Sequence, residues 1–155
     1  MANLMEFASR HRTIFLFCVW TASISLIVIE TFWLFVTRPA RAGMFWCGGA
    51  PMFGELELFL LLIVSAVIGM LLFEPKPLIV CYVGSIFLSF AIGVTYIFLY
   101  NWSLFGRILA SIPFGWEYGC FAAILNVFRI LFPFGVGVCL LGAILGSTLR
   151  ESLNL

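Results

Sequence analysis

Residues 118–149 run for thirty-two positions with a single charge, Arg129, and carry Asn126 and Pro133 in their interior. A hydrocarbon core about 30 Å thick takes about 20 helical residues at 1.5 Å per residue, so this run is too long for one upright span and too polar for an idle one. An arginine at the centre of a span costs about 2.5–3.5 kcal/mol on insertion scales. The stretch therefore demands a partner or a water path for Arg129 and a bend to absorb its length.

Composition points to a membrane setting. Apolar residues make up 64% of the 155 and charged residues 10%, against about 45–50% and 25% in soluble globular domains. A formal net charge of +1 gives no electrostatic footprint for nucleic acid, so none is expected as a partner. One histidine, His11, and five scattered cysteines without a C-x-x-C pair carry no haem, zinc or dithiol pattern, so neither a metal site nor a cofactor is expected. The aromatics, eighteen of them phenylalanine, read as lipid-phase packing and interface anchors.

The apolar runs divide the chain into a single all-α membrane domain, 1–155, with spans at about 13–36, 56–73, 78–100 and 118–149. The first follows the polar Arg10-His11-Arg12. Its length and the internal Glu30 exceed a signal peptide's 7–15-residue apolar core, although Ala40-Arg41-Ala42 has the form of a cleavage site. Glycines and prolines mark 37–55 as a loop, and Glu55 and Glu57 open the second span where carboxylates favour the positive end of a helix dipole. Glu74-Pro75-Lys76-Pro77 stops one helix and starts the next, which predicts an antiparallel hairpin. Ser65 and Gly69 on its first arm and Ser85, Ser89 and Gly93 on its second are small residues at four-residue spacing, the expected seam between the arms. Residues 101–117 read as a second loop on the same face as 37–55, with a short interfacial helix over 105–112. The sequon Asn101-Trp102-Ser103 within it is too close to the membrane for an expectation of glycosylation.

Four spans place both termini on one side. Arg10, Arg12, Lys76 and Arg150 there stand against Arg38, Arg41 and Arg107 on the loop side, a bias of four to three that prefers cytoplasmic termini. The resulting fold is an antiparallel four-transmembrane-helix bundle whose fourth helix kinks near Pro133.

Depth arithmetic at 1.5 Å per residue sets Glu30 about 9 Å and Arg129 about 16 Å from the loop face, within an arginine's reach, with Asn126 one turn away on the same side. These three residues form an expected buried polar cluster tying the first span to the fourth. It reads first as a neutralised pair that fixes register. A proton or ion pathway is the sharper alternative, but one carboxylate and one permanently charged guanidinium leave no spare titrating relay. Pairing with another subunit is a third reading. Beyond Pro133, Gly142 and Gly146 form a G-xxx-G packing face for a neighbour in this chain or outside it. Cys47 and Cys120 share the loop side and are the one sensible disulfide pair if that side is oxidising.

Enzymatic chemistry needs a nucleophile with its base, a metal set or a cofactor motif, and the sequence shows none, so no enzyme is expected. The function expected is that of a non-catalytic structural or accessory subunit packing within a larger membrane complex, its partners membrane lipids and other membrane subunits. The alternatives are a small transporter or channel-forming oligomer using Glu30 and Arg129, and a tetraspan of vesicle trafficking or membrane organisation.

Overall fold

The computed structural model describes residues 2–37, 53–72 and 74–153. They are 94% helical, without a strand among them. The helices are α1 (Ala2–Thr37), α2 (Glu55–Leu71), α3 (Pro75–Ser111), α4 (Gly115–Ile130) and α5 (Val136–Ser152). A π-type segment, Leu131–Gly135, joins the last two. Two segments, His11–Thr37 and Pro75–Ser111, are each long and apolar enough to cross a membrane. α2 and α5, at 17 residues each, and α4, at 16, are shorter.

Helix boundaries follow proline and the backbone more closely than polarity. α1 contains neither glycine nor proline, so it begins well before 13, and Arg10-His11-Arg12 lies within one continuous helix. α2 follows the extended Gly54 with Glu55 and Glu57 in its first turn. Glu74 is extended and Pro75 occupies the first helical position of α3, where a missing N–H costs nothing.

α3 then runs 37 residues, about 55 Å, without interruption. The expected loop over 101–117 is thus mostly helix: no proline intervenes between Pro77 and Pro113, and Gly106 alone, at about 1 kcal/mol, does not end a helix. Asn101 is buried in that helix, which removes its sequon from any exposed turn. The reversal is confined to 112–114. Phe114 takes the left-handed conformation, φ 63°, and a Cβ on Gly115 would stand 1.7 Å from the Leu109 carbonyl oxygen, so glycine alone fits there.

The 118–149 run is broken. Phe132, φ −108° and ψ 139°, is extended inside the π-type segment, the conformation that Pro133 imposes on the residue before it. The break moves the chain sideways: α4 packs along α3, whereas α5 packs along α2. α1 lies against α3 and, less extensively, α2. Around the bundle the order is therefore α1, α3, α4–α5, α2, with α2 and α3 on one diagonal and α1 and α4 on the other. Trp20, Ile24, Val28 and Phe32 from α1, Leu61 and Ile68 from α2, Ile97 from α3 and Val127 from α4 fill the centre.

This order overturns the expected seam. α2 and α3 are joined by a short connection yet scarcely touch. Ser65 and Gly69 instead meet α5: a Cβ on Gly142 would fall 2.8 Å from the Ser65 Cβ, one on Gly146 1.9 Å from the Ala66 carbonyl oxygen, and one on Gly69 2.3 Å from that of Ala143. Ser89 and Gly93 meet α1, with Gly93 also against α4. The glycines of α5 admit backbone-to-backbone approach, which serine stripes on α2 and α3 could not match. The neighbour of the G-xxx-G face lies within the chain.

Candidate functional site

The polar groups of the bundle fall into three sets, and the first, Glu30, Asn126 and Arg129, does not come together as the expected cluster. Glu30 and Arg129 are both exposed, and among the described residues no ion pair joins them. Asn126 is half-buried and its Nδ2 donates to the Ala122 carbonyl of its own helix, 2.9 Å away. The separation of Glu30 from Arg129 has a topological cause: α1 and α4 sit on a diagonal, and α1 turns Trp20, Ile24, Val28 and Phe32 inward, which sends Glu30 to the outside with Leu26 and Trp33. On α4 the inward positions are Gly119, Ala123, Val127 and Ile130, and Arg129 stands among exposed Leu125, Phe128 and Phe132. Depth was legible from residue counting; facing required the order of helices.

The second set lies at the bundle's centre. Trp20 Nε1 donates to Ser65 Oγ at 3.1 Å, linking α1 to α2 in the core. The Trp20 and Tyr82 rings pack at 5.9 Å, and the Tyr82 hydroxyl donates to the Val136 carbonyl at 3.0 Å, holding the first turn of α5 to α3. Ser89 Oγ donates to the Thr21 carbonyl at 3.0 Å. Thr21, Ser25 and Ser85 add buried hydroxyls. In a dry interior these few bonds specify which helix faces which, since nonpolar contacts alone are permissive of register. The signal that could have found them is the tryptophan at 20, set deep in an apolar run where a buried N–H requires an acceptor.

The third set closes the end of the bundle where α2 stops. Arg12 donates to the Leu71 carbonyl and Arg150 to that of Leu72, 3.5 Å away. Two guanidiniums from opposite ends of the chain thus meet the unsatisfied carbonyls at the negative end of α2's dipole. Of the disulfide candidates, Cys47 lies outside the described residues and Cys120 is a half-buried free thiol.

Comparison with family models, curated proteins and solved structures finds no match. The functional reading therefore rests on this geometry.

Proposed function

We propose that the chain is a multi-pass membrane protein crossing the bilayer four times, with α4 and α5 together as the fourth crossing. In this reading it serves as a non-catalytic structural or accessory subunit of a larger membrane complex. The observation that carries the reading is the exterior. Phe15, Leu26, Phe59, Val80, Phe87, Phe121 and Leu141 are all exposed, drawn from every helix, whereas soluble monomers rarely expose contiguous apolar patches beyond several hundred Å². Exposed hydroxyls agree: those of Thr37, Thr95, Ser147 and Thr148 donate to carbonyls three or four residues back in their own helices, as a medium without water requires.

A subunit role is supported by the outward placement of Glu30 and Arg129, since charges at membrane depth normally face protein or water. In this reading the end of the bundle marked by Arg12 and Arg150 faces the cytoplasm, the side preferred by basic-residue bias. The transport reading has less support, because both charges stand outside a core filled by Trp20, Phe32 and Leu61.

Gentle solubilisation from the native membrane, followed by mass measurement, is expected to return the chain in an assembly. Recovery as a lone monomer overturns the subunit role. Release from membranes by alkaline carbonate overturns the membrane reading.

A further inference from the structure

Resting on the membrane-spanning reading above, we propose that copies of this chain inserted in the same orientation associate through Glu30 of one copy and Arg129 of another. Three observations converge on this pair. First, Glu30 is the one charged residue of the apolar run 13–36 and Arg129 the one charged residue of the run 118–149, one of each sign, and both are exposed. Second, their levels along the bundle axis differ by no more than an arginine can span. A Cβ on Gly93 would stand 3.2 Å from both Val28 and Val127, so these two residues share a level. Glu30 is two residues past Val28 on a rising helix and Arg129 two past Val127 on a descending one, an offset of about 6 Å along the axis, which an arginine side chain spans. Third, the packing inside one copy keeps the two apart: their helices occupy a diagonal and each charge points away from the core.

Charge complementarity is what selects a second copy as the occupant. Each chain offers one acid and one base at levels about 6 Å apart, so like-oriented copies, one on each side, satisfy both without any further component. Association also covers the apolar residues flanking each charge: Leu26 and Trp33 beside Glu30, Leu125 and Phe128 beside Arg129. The contact joins unlike faces on opposite sides of the bundle, so it is head-to-tail and closes as a ring, or runs on as an open row where the rotation does not close.

The test uses the full-length chain in phosphatidylcholine vesicles, with association read by energy transfer between labelled copies as the protein-to-lipid ratio is varied. Carbonate resistance and helical circular dichroism are recorded on every variant. Glu30→Arg and Arg129→Glu are each expected to weaken association at least about tenfold, since each sets like charges against one another. The double variant is expected to regain it, and so is a mixture of the two single variants, in which every contact is again between opposite charges. The proposal is overturned if the wild-type chain stays monomeric, or if single reversals associate as it does. It is equally overturned if the double variant and the mixture remain apart while still inserted and helical. Carbonate release of the wild-type chain would instead overturn the membrane reading, and this pairing with it.

Discussion

Single atoms decide how closely α5 packs on α2. A Cβ on Gly146 would meet the Ala66 carbonyl oxygen at 1.9 Å, whereas one on Gly137, in the same helix, meets nothing within 4 Å. Gly146→Ala is therefore expected to force α5 from α2 and lower stability by about 1–3 kcal/mol, while Gly137→Ala raises it by up to about 1 kcal/mol through helix propensity. Thermal unfolding in detergent separates the two, and equal effects would contradict the packing. The Trp20–Ser65 hydrogen bond is testable by a double-mutant cycle of Trp20→Phe and Ser65→Ala. A coupling of about 0.6–1.7 kcal/mol is expected, the range for interhelical bonds in membrane proteins. A value near zero would mean that the indole N–H finds another acceptor.

At the level of elements, the break at Phe132 matters more than the helices it separates. It lets one run of sequence lie along α3 through α4 and along α2 through α5. Pro133→Ala removes the constraint on Phe132 and should favour a straight helix by about 3 kcal/mol locally. A straight helix cannot keep both neighbours. The variant is therefore expected to gain local helicity yet unfold at lower temperature, and a higher unfolding temperature would show that the break is incidental. Much at this level was legible in the sequence. Pro75 and Pro133 announced a helix start and a bend because proline acts on its own backbone. What was hidden was neighbour choice: Ser65, Gly69, Ser85, Ser89 and Gly93 read as one seam because they are near in sequence, but small-residue faces are mutually compatible. Only their three-dimensional competition with Gly142 and Gly146 decides the pairing. Glu30 and Arg129 illustrate the same limit, their depth being a matter of counting and their facing a matter of helix order.

For the molecule as a whole, the proposed membrane orientation and the stability of the bundle draw on overlapping arginines, of which Arg12 and Arg150 hold α2. In the proposed four-crossing reading, Arg10, Arg12, Lys76 and Arg150 count toward the terminus side, against Arg38, Arg41 and Arg107 toward the other. Arg12 and Arg150 also donate to the Leu71 and Leu72 carbonyls at the end of α2, so removing them would disturb folding and topology together. Lys76 is exposed at the start of α3, and Arg10 belongs to the polar first turns of α1. Neutralising these two, Arg10→Gln with Lys76→Gln, turns a bias of four to three into two to three while leaving the clamp on α2 in place. Because positive residues near span ends set orientation with little help from acidic ones, this double variant is expected to insert as a mixed or inverted population. Its bundle should stay folded, since burial of Trp20, Leu61 and Val127 does not depend on which side faces the cytoplasm. Protease protection of a C-terminal tag reads the orientation and thermal unfolding reads the bundle. Retention of a single cytoplasmic-terminus population would show that the fold's own asymmetry, such as the α3–α4 turn at 112–114, outweighs the charge bias in setting direction.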